Sequence, residues 1–423
     1  MTEQIIPRGY KKTDVGVIFE DWEVKKLGSM GVFKKGRGIK KDSVLPEGLP
    51  CIRYGEIYTH HNEYLKKFNS FISIETAKES QRIKEGDLLF AGSGETAEEI
   101  GKCVAYLDQQ EAYAGGDVII LSPFENNYDS KYLGFLLNAE IIVRQKAQVA
   151  QGDAIVHIYP NNLAKILLPL PATKKEQTAI AIVLSDTDDL IRKLDDLILK
   201  KRNIKQGAMQ ELFTGKKRLP GFSGKWGMMT LGQIGKFRGG SGFPIIYQGK
   251  VDGQYPFFKV SDMNNEGNQT FMITSNNWIA DNIRKQMSVN TFPRHSIVFA
   301  KIGAAIFLER KKILSQESCV DNNMMGFMFD ENIFNYRFLH YLFLTIQLGK
   351  LVSATALPSL NGREIAGLKF SIPDTEEQSA ISQILSDMDA EIEQLEQELD
   401  KYKMIKQGMM QELLTGRTRL VVA

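Results

Sequence analysis

A phrase of sixteen residues occurs twice in this chain. IKQGAMQELFTGKKRL spans residues 204–219, and IKQGMMQELLTGRTRL spans residues 405–420. The same offset of 201 residues places Glu176-Gln177 over Glu377-Gln378, without a gap between these pairs and the phrase. A repeat separated by almost half of the 423 residues predicts a fold made of two similar halves.

A second, weaker repeat marks the start of each half. Trp22 and Trp226 each precede a Leu-Gly pair by the same distance, and LLFAGSG at residues 88–94 corresponds to IVFAKIG at residues 297–303. Such short apolar segments between turn residues are typical of strands. We therefore predict a first variable domain (residues 1–172), a central helical region (173–219), a second variable domain (220–374) and a C-terminal helical region (375–423).

Each helical region carries an apolar stripe at alternating spacings of three and four residues, which indicates the seam of a paired helix. In the first region the seam comprises Ile191, Leu194, Ile198, Ile204 and Leu212. In the second it comprises Met388, Ile392, Leu395, Leu399, Tyr402, Ile405 and Leu413.

The charges of the two regions favour pairing with each other. Residues 173–219 hold 11 Lys or Arg and 7 Asp or Glu, whereas residues 375–420 hold 5 and 10. Opposite net charges on two heptad helices stabilise their association. The expected fold is α+β: two similar α/β domains separated by two long helices that pair as an antiparallel coiled coil with pseudo-twofold symmetry.

Composition excludes several classes of protein. No apolar run approaches the roughly 20 residues of a membrane span, and the N-terminus lacks the pattern of a signal peptide. Three well-separated cysteines suggest neither a disulfide framework nor a metal site, and the adjacent His60 and His61 diverge. We expect a cytoplasmic protein without a metal, a membrane partner or catalytic residues.

Local charge points to nucleic acid more clearly than the net charge of +2 does. KKGRGIKK at residues 34–41 places five cations beside two glycines that could admit a phosphate, and CIRYGEIY at residues 51–58 aligns with FFKVSDM at residues 257–263. The candidate DNA-binding residues are Lys34, Lys35, Arg37, Lys40, Lys41, Arg53, Tyr54, Arg238, Lys259 and Lys301. A seam from residue 187 to residue 212 would measure about 38 Å, close to one turn of B-DNA.

Taken together, the paired Trp-x4-Leu-Gly, the proline-bounded strand before Glu-Gln and the IKQG-x-MQEL-x-TG block resemble the specificity subunit of type I restriction-modification enzymes. The resemblance covers essentially the whole chain. It implies two target-recognition domains, each reading one half of a split site in double-stranded DNA, and helical regions that form a spacer. It further implies two modification subunits and restriction subunits as partners. S-adenosylmethionine, ATP and Mg would then be cofactors of those partners only.

The repeated block would, on this resemblance, also dock the modification subunits. The candidate docking residues are Gln206, Gln210, Glu211, Gln407, Gln411 and Glu412. 

Two other functions remain open from the residues alone. FAGSG at residues 90–94 resembles the loop with which DNA amino-methyltransferases hold S-adenosylmethionine, although the partner motif with two adjacent prolines is absent. The aligned FAKIG loses the middle glycine, as a shared structural turn would. A coiled-coil structural protein would explain the helices but not the two glycine-punctuated domains.

Overall fold

A computed structural model describes residues 6–124, 127–152, 155–352 and 357–420. The chain forms two compact units. Unit 1 comprises Met1–Asp195 with Gln397–Ala423, and unit 2 comprises Asp196–Glu396. Both limits fall inside long helices, so each unit contains part of both helical regions.

Unit 1 begins with a domain of short strands and helices. Its strands are β1 (Tyr10–Thr13), β2 (Gly16–Phe19), β3 (Glu23–Lys26), β4 (Gly31–Lys35), β5 (Leu49–Ile52), β6 (Ser70–Ile72), β7 (Gln81–Ile83), β8 (Leu88–Ala91), β9 (Ser93–Gly94), β10 (Cys103–Ala105), β11 (Ala112–Ala114), β12 (Val118–Pro123), β13 (Val156–His157) and β14 (Leu167–Leu170). Its helices are α1 (Tyr54–Thr59), α2 (Ile74–Glu79), α3 (Ser130–Leu137), α4 (Glu140–Val149) and α5 (Pro160–Leu163), followed by the long α6 (Lys174–Phe213).

Unit 2 contains a domain with corresponding elements. Its strands are β15 (Gly227–Thr230), β16 (Gly235–Gly239), β17 (Tyr255–Phe258), β18 (Phe271–Met272), β19 (Trp278–Ile279), β20 (Ile297–Ala300), β21 (Lys311–Leu314), β22 (Cys319–Val320), β23 (Met324–Phe329) and β24 (Lys369–Ile372). Its helices are α7 (Leu231–Ile234), α8 (Asp281–Gln286), α9 (Tyr336–Thr345) and α10 (Gly362–Ala366), followed by the long α11 (Thr375–Leu413).

The two domains share one sheet topology. The order β10-β8-β12-β4 in the first corresponds to β21-β20-β23-β16 in the second, and β6-β5-β11 corresponds to β19-β17-β22. In the second sheet of each domain, β5 or β17 has one antiparallel and one parallel neighbour. The weak repeat at the start of each half therefore encodes a common fold, in which buried apolar strands alternate with polar turns.

In each domain the last strand pairs with the strand that directly follows the repeated tryptophan. β3 is antiparallel to β14, and β15 is antiparallel to β24. This pairing places Trp22 and Trp226 beside Pro171 and Pro373, which follow the last strands. The long helix of each half starts directly after that point.

Each hydrophobic core is completed by the start of one long helix and the end of the other. In unit 1, Leu184 of α6 and Leu413 of α11 lie in the core that contains Trp22. In unit 2, Leu212 of α6 and Leu385 of α11 lie in one core. Burial of these apolar side chains is the main stabilising contribution to each helix-domain contact.

Within unit 2 the two long helices run antiparallel. Lys201 contacts Glu391 at 2.5 Å, while Arg218, later in α6, contacts Glu377, earlier in α11. The opposite charges counted in the sequence thus meet across the pair. None of the helices within the described ranges combines the length and the apolar composition that a membrane span requires.

Candidate nucleic-acid interface

The cationic loop of the first domain, residues 34–41, begins at the end of strand β4 and runs into a 3-10 turn at Lys41–Ser43. Its five predicted DNA-binding side chains are exposed: Lys34, Lys35, Arg37, Lys40 and Lys41. A Cβ at Gly36 would overlap the carbonyl oxygen of Gly115, and Gly38 has a φ of +80°. The glycines therefore serve close packing on the protein's own backbone, whereas the sequence had suggested approach to a phosphate.

The start of helix α1 lies beside this loop. Gly115 packs against both the loop and the residue before α1. A Cβ at Gly115 would lie 3.1 Å from Cβ of Ile39 and 3.5 Å from Cγ of Arg53. The backbone N–H of Arg53 donates to Glu56 at 2.9 Å, and the two side chains form an ion pair at 3.6 Å. The Arg53 Nε is buried without a hydrogen-bond partner among the described residues. The structure thus brings Arg53 and the cationic loop together, with Tyr54 exposed at the next position.

The second domain repeats this arrangement with other side chains. Lys259 occupies the position of Arg53, and its N–H donates to Asp262 at 2.7 Å as that of Arg53 does to Glu56. The Lys259 ammonium donates to Gln248 at 3.0 Å. Both domains thus place a cation at the start of an equivalent helical turn.

The remaining two candidates lie at strand β16 and after strand β20. Arg238 donates to the carbonyl of Thr291, and its guanidinium lies 4.2 Å from the ring centroid of Phe292. Burial lowers its pKa, and its Nε has no described partner. The Arg238 side chain therefore makes its contacts largely within its own domain. Lys301 is half-buried, with its ammonium packed over Gly239.

The FAGSG loop is closed by contacts within its own domain. The N–H of Gly92 donates to the carbonyl of Asp117 at 2.7 Å, and Ser93 Oγ lies 2.9 Å from Nδ1 of His157. A Cβ at Gly94 would lie 2.7 Å from the Tyr58 hydroxyl. Packing against the chain itself accounts for the glycines, as expected for the structural turn that both domains share.

The predicted helix seam is buried over most of its length. Buried positions are Leu194, Ile198, Leu212, Ile392, Leu399 and Leu413, and half-buried positions are Ile191, Met388, Leu395 and Tyr402. Ile204 and Ile405 differ from the prediction, because their exposed fractions are 47% and 39%.

The following lysines take the inward positions that were predicted for Ile204 and Ile405. The side chains of Lys205 and Lys406 are only 16% and 15% exposed. Helical periodicity of 3.6 residues drifts from a strict heptad, so the seam moves round the helix by this point. Lysine can occupy it because its aliphatic stem packs while its ammonium meets carboxylates.

Both lysines meet the equivalent aspartate of the other helix. Lys205 pairs with Asp389, and Lys406 pairs with Asp188 at 2.7 Å. Lys406 also pairs with Glu63 of the first domain at 2.7 Å. Burial by itself lowers the pKa of Lys406, but the two carboxylates outweigh it and the pKa is raised.

A second repeated contact joins the helix ends to the domains. Trp226 Nε1 donates to Glu377 at 2.9 Å, and Arg218 donates to both oxygens of the same carboxylate. In unit 1, Trp22 Nε1 donates to Glu176 at 3.3 Å, and Arg419 donates to Glu176 at 3.1 Å. The arginine thus comes from the opposite half of the sequence in both units.

Comparison with known proteins agrees with this repeated architecture. Residues 19–200 and 223–401 match the model of the type I restriction modification DNA specificity domain. The chain belongs to this family. Recognition of a DNA sequence is therefore its function, and the methyltransferase and purely structural alternatives are not favoured.

Curated relatives of this type I specificity chain match it over almost its whole length. A putative type I restriction enzyme MjaX specificity subunit from Methanocaldococcus jannaschii is 25% identical over 97% of each chain. The MjaVIII specificity subunit from the same organism is 24% identical over 95% of this chain and 94% of its own. The relatives are thus named as specificity subunits.

Solved structures show the same fold at lower identity. The S subunit of a type I restriction-modification system from M. genitalium has a TM-score of 0.58, with 16% identity over 97% of this chain and 98% of its own. A chain from a study of type I R-M complex assembly has a TM-score of 0.61, with 14% identity over 95% and 99%. The α+β fold with paired helices is therefore confirmed.

The predicted docking residues of this specificity chain lie near the ends of the long helices. Gln206, Gln210, Glu211, Gln407 and Gln411 are exposed, and Glu412 is half-buried. Glu211 forms an ion pair with Lys217 at 3.5 Å, and Glu412 accepts from Thr418 at 2.8 Å. 

Sequence reasoning missed the Trp–Glu–Arg contacts, although their signal was present. Trp, Glu and Arg each recur in both halves at nearly one offset, and polar repeats of this kind suggest a shared contact. Within the described residues no group of three or more His, Cys, Asp or Glu is placed to hold a metal ion.

Proposed function

We propose that this specificity chain reads a bipartite DNA site, with residues 1–172 contacting one half and residues 220–374 the other. The observation that carries the proposal is a helical turn that both domains repeat and that begins at a cation in each. Arg53 and Lys259 start equivalent helical turns, each fixed by a carboxylate three residues later. The same scaffold with different side chains suits the reading of two different half-sites.

Phosphate contacts would come chiefly from the exposed cations of residues 34–41 in the first domain. Lys259 and Lys301 would contribute in the second, whereas Arg238 would act mainly by supporting its loop. Lysine and arginine contacts with phosphates give affinity, and contacts with base edges give specificity.

The paired helices α6 and α11 would set the distance between the half-sites. Lengthening both by one heptad would add about 10 Å, which equals about three base pairs. We expect such a variant to methylate a site whose gap is about three base pairs longer. An unchanged gap in its methylation pattern would contradict the spacer role.

The chain would act with partners that supply the chemistry. Two modification subunits would dock near Gln206, Gln210, Glu211, Gln407, Gln411 and Glu412, and restriction subunits would join them. Methyl transfer with S-adenosylmethionine and cleavage with ATP and Mg would belong to those partners, so the chain itself would be non-catalytic. Its place would be the cytoplasm, with the DNA.

Exchange of one recognition domain tests the central proposal. Residues 220–370 would be replaced by the corresponding segment of another family member, and methylated bases would be mapped in a host that also carries the modification subunit. We expect one half of the site to change and the other to persist. Changes in both halves would refute the assignment of one domain to one half-site.

A further inference from the structure

Equivalent turns of the two domains carry opposite chemistry. The 3-10 turn Lys41–Ser43 follows β4, and the 3-10 turn Ile245–Tyr247 follows β16. Both turns begin 19 residues after the repeated tryptophan of their half. The first domain places the charged Lys41 and Asp42 there, whereas the second places Ile245 and Ile246.

These two isoleucines are unusually exposed. The exposed fraction is 85% for Ile245, the highest among the large apolar side chains of the described chain, and 76% for Ile246. Single exposed apolar residues are common, but an adjacent pair at the tip of a turn marks a binding surface more specifically.

The turn itself is well anchored. The ring of Phe243 stacks on that of Phe257 with centroids 3.8 Å apart. Gln248 donates to the carbonyl of Phe243 at 2.8 Å and accepts from Lys259 at 3.0 Å. The N–H of Gly249 donates to the side chain of Asn277 at 2.8 Å. Because both ends are fixed, the backbone holds Ile245 and Ile246 outward in a defined geometry.

The surroundings favour DNA as the occupant. Lys259, which anchors the turn through Gln248, is the counterpart of Arg53 in the first domain. Residues 220–374 hold 16 Lys or Arg and 11 Asp or Glu, a positive balance suited to phosphate. The apolar group that a DNA major groove offers at a base edge is the 5-methyl group of thymine.

We propose that Ile245 and Ile246 contact thymine 5-methyl groups in the half-site read by the second domain. This contact rests on the proposed DNA-reading function and adds a specificity determinant to it. It requires at least one A·T pair in that half-site. In the first domain Lys41, at the position equivalent to Ile245, would contact a phosphate instead.

The test removes the methyl group from the DNA and the isoleucines from the protein. The full chain, assembled with its modification subunits, would be titrated with its cognate duplex and with duplexes in which single thymines are replaced by deoxyuridine. For the wild type we expect about a fourfold loss of affinity at one or two positions of that half-site, the cost of one buried methyl group. The double variant Ile245→Ser, Ile246→Ser should bind both duplexes equally.

Ile333→Ser is the matched control, because Ile333 is 54% exposed in the same unit but lies outside this turn. It should retain the dependence on thymine. Sequence-selective binding by the wild type with no thymine dependence would overturn this contact alone. Loss of the modification subunit from the double variant would instead identify the pair as a protein contact and overturn it too. Failure of the wild-type complex to bind any duplex would overturn the proposed function itself.

Discussion

Arg218 holds Glu377 through two parallel hydrogen bonds, from Nε at 2.8 Å and from Nη2 at 2.7 Å. Arg218 lies near the end of the first copy of the repeated phrase, and Glu377 lies in the first turn of α11. Planar, bidentate pairing of this kind is directional, so it fixes the end of α6 against the start of α11. Trp226 donates to the same carboxylate and ties the recognition domain of unit 2 to both helices.

Neutralising this carboxylate should weaken unit 2. Glu377 is 1% exposed as a side chain, and Glu377→Gln would lose charge-assisted hydrogen bonds. We expect the free energy of unfolding to fall by about 1.5–3 kcal/mol. Urea denaturation followed by tryptophan fluorescence would measure it. Glu376→Gln is the matched control because Glu376 is exposed on the same helical turn, and an equal loss in both variants would disprove the contact's role.

We expect the charge of Lys406 to contribute more to stability than the packing of its aliphatic side chain does. Lys406→Met would leave Glu63 and Asp188, which are 10% and 12% exposed, without their cation. We expect the free energy of unfolding to fall by about 3–5 kcal/mol, which is the cost of an uncompensated buried charge. Adding Glu63→Gln and Asp188→Asn should recover most of the lost stability, as measured by chemical denaturation. No recovery in the triple variant would show that packing, and not charge, dominates.

The helix seam can be tested with two leucines of α6. Leu194 is buried and Leu199 is 58% exposed. Leu194→Asp should destabilise the chain by several kcal/mol because it places an unpaired charge in an apolar contact. Leu395→Asp should act in the same direction, while Leu199→Asp should change stability by less than about 0.5 kcal/mol. Similar unfolding midpoints for Leu194→Asp and Leu199→Asp would refute the paired-helix seam.

Acid should destabilise unit 2 through His340. Burial lowers the pKa of His340 to about 4, against about 6.5 in an unfolded chain. The unfolded state therefore binds more protons between these pH values, and stability falls as the pH drops from 6.5 to 4, by on the order of 3 kcal/mol. His340→Gln should flatten this dependence in denaturation series. The exposed His60 provides the control: a comparable flattening in His60→Gln would contradict this attribution.

Periodicity and repetition made much of the fold predictable. The heptad spacing placed Leu194, Ile198 and Leu399 correctly because helical geometry converts local spacing directly into a face. It misplaced Ile204 and Ile405, since a strict heptad ignores helical drift and the carboxylates of Asp389 and Asp188 make lysine favourable inside. Which residue faces inward there depends on carboxylates that are distant in the sequence, such as Asp389, which is 184 positions from Lys205.

The candidate interface was less predictable for the same reason. The cations of residues 34–41 could be recognised from their density, but the partner of Gly36 could not, because Gly115 approaches it only through the sheet. Arg238 was predicted to be a DNA-binding cation. Its engagement with Phe292 and Thr291 depends on a distant segment that no local pattern reveals.

Two similar halves, an amphipathic helix at the end of each and the opposite charges of these helices were predictable from the residues alone, since repetition, spacing and composition are local properties. The pairing of Arg218 with Glu377 and of Arg419 with Glu176, in contrast, follows from the folded chain. Both glutamates are equivalent in sequence, and the antiparallel course of the helices brings each arginine to the glutamate of the other half.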